Sequence, residues 1–112
     1  MKGSSGAAAV AKVLFLTSAA LSPGTPAWSA DLAAGRSKAV QCATCHGTNG
    51  IATLPEAPNL AGQNSIYLEK ALRDFKSGMR KNEMMSLMAE GLTDTDIENL
   101  AAYYASLGCK PG

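Results

Sequence analysis

Two thiols and an imidazole stand together at Cys42-Ala43-Thr44-Cys45-His46, and His46 is the only histidine in the chain. A C-x-x-C pair followed directly by His has a defined chemistry. The thiols add across the two vinyl groups of a haem to give thioethers, and the imidazole becomes an axial ligand of the iron. One turn of chain brings both sulfurs to the same porphyrin edge and carries the next residue beneath the ring. Two other uses of such thiols fit less well. Zinc wants about four Cys or His ligands, and outside the motif only Cys109 remains. A thioredoxin-like redox pair wants a βαβ setting, whereas the flanks here are rich in Ala and Gly and hold no β-branched strand run.

With a single histidine, the second axial position falls to methionine, to lysine or to nothing. Beyond Met1, the methionines are Met79, Met84, Met85 and Met88, all just before the last helical segment. Thioether sulfur is a soft, neutral ligand, and a His/Met pair raises the reduction potential. Methionine more commonly fills core, so one of the four is expected to ligate and the others to pack. The imidazole also needs holding. The stretch from Gly47 to Gly62 is dominated by Gly, Pro, Asn and Ala, which is loop chemistry. Such a loop can offer a backbone carbonyl to the Nδ1–H of His46, fixing the ring and raising its basicity. Pro58 is the candidate, against the plainer reading in which it only turns the chain.

The elements that must position these groups are helical, and no convincing period-2 strand appears. About four helices are predicted. The first runs from Asp31 to Ala43 and delivers the cysteines, with Gly35 and Ala39 forming a small-residue face that another helix can approach. The second runs from Ser65 to Ser77, its stripe being Leu68, Ala71, Leu72 and Phe75, with Gly78 as the stop. A third, short piece spans Glu83 to Glu90. The fourth starts at a capping box around Thr93 and carries the stripe Ile97, Leu100, Ala101, Tyr104 and Leu107 up to Gly108.

Residues 1–29 read as a cleaved secretory signal and residues 30–112 as one small domain. Lys2 gives the positive start, Val13 to Leu21 the apolar run and Ser22-Pro23-Gly24-Thr25-Pro26 its break, while Ala27 and Ser29 suit cleavage before Ala30. The apolar run falls short of the ~20 residues of a membrane-spanning helix, so no stable membrane insertion is expected. Without Lys2 and Lys12, the ten basic residues fall to eight against nine acidic ones, a net charge of −1. Nucleic-acid binding, which relies on many Lys and Arg contacts to phosphate, loses its support. A domain this small builds a marginal core from side chains alone. Two cysteines committed to thioethers leave no pair for a disulfide, so a covalent haem is the staple that fits. Lys70, Arg73, Lys76, Arg80 and Lys81 are clustered and Glu90 to Glu98 is acidic. That is either a charge asymmetry for steering partners or a solvated face. Cys109 can join two chains or sit buried as a small hydrophobe.

Taken together, Cys42-Ala43-Thr44-Cys45-His46-Gly47, Pro58-Asn59-Leu60-Ala61-Gly62-Gln63, Tyr67-Leu68, Phe75-Lys76-Ser77-Gly78, the Met-rich run and Asp96-Ile97 with Leu100-Ala101-Ala102-Tyr103-Tyr104 resemble a class I cytochrome c. The likeness is to the small bacterial monohaem type, similar to a single domain of the dihaem periplasmic cytochromes c. The resemblance implies an all-α cytochrome c fold wrapped around one covalent haem c. It implies thioethers at Cys42 and Cys45, iron ligation by His46 and Met85, with Met84 as second choice, and a Pro58 carbonyl on His46. Arg80 and Asn82 are placed near the haem edge. In function it implies a soluble, exported, periplasmic electron carrier rather than an enzyme, with membrane or periplasmic redox proteins as donor and acceptor. A haem-based small-ligand sensor and a cytochrome subunit of a larger oxidoreductase are the competing readings.

Overall fold

The computed structural model describes residues 1–24 and 29–108. Cys109 and the Ala27-Trp28 part of the expected cleavage site lie outside the described residues. Residues 1–24 form no helix or strand, and all of them are exposed, so the helical domain draws no buried residue from this segment.

Among the described residues the domain is made of five α-helices and one 3-10 turn: α1 (Leu32–Lys38), the 3-10 turn (Ala39–Gln41), α2 (Ala43–His46), α3 (Ser65–Ser77), α4 (Glu83–Glu90) and α5 (Asp94–Ser106). Among the described residues there is no strand. The limits of α3 and α4 coincide with the sequence expectation. The single helix expected from Asp31 to Ala43 does not form. It gives way after Lys38 to a 3-10 turn, in which the Cys42 N–H bonds the Ala39 carbonyl at 2.9 Å, before α2 restarts at Ala43. No Gly or Pro marks that change, because the tightening lies in hydrogen-bond spacing rather than in residue type.

Side chains cap each longer helix. Asn64 Oδ1 accepts from the Tyr67 N–H at the start of α3, and Asn82 Oδ1 accepts from the Met85 N–H at the start of α4. The capping box of α5 closes in both directions. Asp96 N–H donates to Thr93 Oγ1 at 3.1 Å, and Thr93 N–H donates to Asp96 Oδ2 at 3.0 Å. Asp96 also meets Lys38 at 3.3 Å, tying the start of α5 to the end of α1. These contacts, the Thr93 N–H first, hold the Asp96 carboxyl below the usual carboxylate range.

The core is small and centred on α5. Ile97 and Leu100 are fully buried and pack with Ala39, Leu68, Leu92, Ala101 and Tyr104. Each such aliphatic side chain contributes about 1.5–3 kcal/mol by leaving water. The tightest packing is between α1 and α5. A Cβ on Gly35 would lie 2.2 Å from the Asn99 carbonyl oxygen and 2.8 Å from Tyr103 Cβ. The small-residue face expected at Gly35 and Ala39 is therefore where the two helices cross.

Asn99 was not foreseen in this role. It is 7% exposed, and its Oδ1 accepts the Asp31 N–H at 2.8 Å, fixing the entry of α1 onto α5. Replacing it with Ala strands that backbone donor, so Asn99→Ala is expected to cost about 1–3 kcal/mol, read as a lowered denaturant midpoint with an unchanged slope.

Candidate functional site

The sulfur- and imidazole-bearing residues meet around one cavity of about 800 Å³, walled by α2, the loop after it, α3, α4 and α5. Protein interiors seldom leave voids larger than a water molecule. A space of this size in so small a domain is built to be filled, and it lies within the roughly 300–1,000 Å³ of cofactor pockets. Its apolar wall includes Leu68, Leu72, Phe75 and Leu100, and Cys42, Cys45, His46, Met84, Met85 and Met88 all line it.

The thiols are delivered by the 3-10 turn and α2. Cys42 and Cys45 are both free and half-buried. Burial pushes the Cys42 thiol up, the nearby Tyr104 hydroxyl opposes that, and the neighbouring Cys45 adds to it. Gly47 makes the chain turn away immediately after His46. Its φ of +78° is a left-handed value, and a Cβ there would lie 1.9 Å from the Ile51 carbonyl oxygen. Only glycine fits that conformation and that space.

His46 is buried, and its Nδ1 lies 2.8 Å from the Pro58 carbonyl oxygen. A carbonyl can only accept, so the Nδ1 of His46 carries the proton and donates, leaving Nε2 with a free lone pair. The loop that supplies this carbonyl is itself held. Asn59 Oδ1 accepts the Ala52 N–H at 2.8 Å, and the Gly50 carbonyl accepts from Leu60 and Ala61. Thr53 clamps the thiol turn from outside: its N–H donates to the Cys45 carbonyl at 3.0 Å and its Oγ1 to the Thr44 carbonyl at 3.0 Å. Thr53 was missed from sequence, where a lone Thr in a loop gives no pairing signal. Asn59 was noted only as part of a motif.

Three of the four methionines reach the cavity. Met85 and Met88 are half-buried on α4, and Met84, 57% exposed, stands at the rim. Met79 is 82% exposed and lies outside the cavity lining. Arg80, Lys81 and Asn82 also line the cavity. The Arg80 guanidinium sits 4.6 Å above the centre of the Phe75 ring, a cation–π contact.

The basic run and the acidic segment noted in the sequence are joined at Arg73. Arg73 pairs with Glu69 at 2.9 Å and, across to α5, with Glu98 at 3.2 Å; Lys70 pairs with Asp74, and Lys76 donates to the Leu92 carbonyl. Arg73 thus links the two stretches, while Arg80 and Lys81 stand at the cavity.

The donor set fits a covalent haem. Two accessible thiols one turn apart, an adjoining imidazole with a free lone pair and thioether sulfurs share one apolar cavity. Among the described residues, no three of His, Cys, Asp and Glu gather as a group that could hold a bare metal ion.

Comparisons with known proteins agree with this geometry. A family model described as Cytochrome c matches residues 32–108. The chain is 46% identical over 79 residues to cytochrome c-554(548) of Halomonas halodenitrificans, an alignment covering 68% of this chain and 95% of that protein. It is 43% identical over 76 residues to cytochrome c4 of Pseudomonas aeruginosa, covering 68% of this chain and 38% of the relative. A crystal structure of reduced recombinant cytochrome c4 from Pseudomonas stutzeri superposes with a TM-score of 0.66 at 39% identity, covering 70% of this chain and 46% of that one. The chain therefore spans nearly all of the first relative and less than half of these two c4 proteins.

Proposed function

The chain belongs to the cytochrome c family, and on that premise we propose that it carries single electrons between redox proteins of the periplasm, with a haem iron held between His46 and Met85. It is an electron-transfer protein of the cytochrome c fold with one haem c, not an enzyme. Cys42 and Cys45 hold the haem as thioethers. Residues 1–29 serve as the export signal, which brings the apoprotein to the compartment where such attachment takes place. Among the described residues no helix is long and apolar enough to cross a membrane.

One observation carries the reading: the shared cavity in which two thiols, an imidazole with its Nδ1 proton committed to Pro58, and three methionine sulfurs converge. When bound, the haem supplies the one-electron iron couple. The chain's own residues supply the rest. The Pro58 carbonyl orients His46 and raises its basicity, Thr53 and Gly47 fix the turn that carries it, and the apolar wall keeps water away. With His46 and Met85 both committed to a bound haem iron, the chain would leave no open position there for a substrate or a gas. A haem held by these residues would supply the one-electron exchange with docking partners, and the chain contributes ligation, shielding and surface.

Visible spectroscopy of the exported protein, made alongside a working haem-attachment system, tests this. The expected result is a coloured protein whose alkaline pyridine adduct reports two saturated vinyl groups and whose reduced form is unchanged by carbon monoxide. A colourless product contradicts the carrier reading, and stoichiometric carbon monoxide binding replaces it with the ligand-sensor reading.

A further inference from the structure

Tyr104 is 4% exposed, and its hydroxyl is the side-chain polar atom that, among the described residues, is buried without a partner of hydrogen-bond geometry. Buried tyrosine hydroxyls normally find one, and leaving one unbonded is costly. Phenylalanine would fill the same volume at no such cost, so the hydroxyl itself calls for a partner within the cavity it lines. That cavity also holds the Cys42 sulfur. Cys42 packs against the buried cluster of which Tyr104 is part, and burial, with the nearby Cys42 adding to it, raises the Tyr104 ionisation above its ordinary value. A free Cys42 thiol can both donate and accept. As a thioether the sulfur keeps only its lone pairs, so the direction of the bond is then fixed from Tyr104 to Cys42.

We propose that in the haem-loaded protein the Tyr104 hydroxyl donates a hydrogen bond to the Cys42 sulfur and that this bond favours the reduced state. The inference rests on Cys42 carrying the haem, as proposed above. Tyr104 acts as a positioning and tuning residue, reaching the cofactor through a sulfur bonded to its edge. A donor on that sulfur draws electron density from the porphyrin, which stabilises the added electron.

The experiment is a redox titration of the holoprotein and of Tyr104→Phe, with visible spectra of both. Colour, thioether count and axial-ligand band are expected to stay the same. At the ambient potential where the parent is half reduced, the ratio of reduced to oxidised Tyr104→Phe protein is expected to fall about threefold, the bond's strength differing between the two redox states by part of the roughly tenfold that one net hydrogen bond is worth. In a Cys42→Ala background, with the haem held by Cys45 alone, Tyr104→Phe is expected to leave the ratio unchanged. An unchanged ratio in the parent background overturns the proposal, and so does an equal fall in both backgrounds. If Tyr104→Phe fails to accumulate, NMR of the reduced parent decides. A slowly exchanging Tyr104 hydroxyl proton with a cross-peak to the Cys42 β protons supports the bond, and its absence overturns it. A colourless parent would instead sink the carrier reading itself.

Discussion

Gly35→Val is expected to abolish accumulation of folded, coloured protein. A Cβ at this position meets the Asn99 carbonyl oxygen at 2.2 Å, the Asn99 carbonyl carbon at 2.8 Å and Tyr103 Cβ at 2.8 Å. None of these is the movable end of a side chain, so rotation cannot relieve the clash and α1 must lift from α5. Lifting it also breaks the Asp31–Asn99 bond and the Lys38–Asp96 pair, and it withdraws Ala39 from the core. Overpacking alone costs about 1–3 kcal/mol, occasionally more, and the lost contacts add to that against a total stability of only about 5–15 kcal/mol. The damage reaches the site because α1 continues through the 3-10 turn into Cys42. Gly35→Ala is expected to fold with a reduced denaturant midpoint. Gly91→Ala is the control: its Cβ would meet nothing within 4 Å, and its φ of −81° suits any residue. That midpoint should stay level or rise by about 0.4–1 kcal/mol in stability. A parent-like midpoint for Gly35→Val would mean that the helices do not cross there.

How much of this was legible in the sequence depends on the range of the interaction involved. The stripe of α3 and the caps around α5 are local, so Leu68, Phe75, Thr93 and Asp96 announced them through spacing. The thiol motif is more local still. The i,i+4 pairs Glu69–Arg73 and Lys70–Asp74 were equally readable by the rule for helix faces. They instead entered the sequence reading as parts of a like-charge cluster. What could not be read is what α5 brings back from far along the chain. Asn99 reaches Asp31 and Glu98 reaches Arg73, and the Tyr104 carbonyl accepts the Gly62 N–H of the loop that holds Pro58. The break in the first helix was also hidden, because Ala39, Val40 and Gln41 suit an α-helix as well as a 3-10 turn, and the choice falls to the need to turn Cys42 toward the cavity.

The methionine ligand is where local and long-range information meet, and it gives the second large effect. Met85, Met88 and Ala89 stand at i, i+3 and i+4 of α4, the spacing of one inward face, and Ala89 on that face is buried, as is Leu92 just past the helix end. Met84 stands one residue off it and is 57% exposed. Asn82 fixes the phase of the helix by accepting the Met85 N–H at 2.9 Å. Met85 and Met88 are both half-buried in the cavity wall, and Met85 is the ligand proposed above, while Met84 is more exposed at the rim. Met85→Ala is expected to lose the far-red sulfur-to-iron band of the oxidised protein and to bind carbon monoxide when reduced. Its potential should fall by on the order of a tenth or more of the ~0.8 V range that axial ligation spans. Met84→Ala is expected to keep the band and the potential. If the band survives in Met85→Ala and disappears in Met84→Ala, the chain enters α4 with a different phase at the iron, and the rim methionine is the ligand.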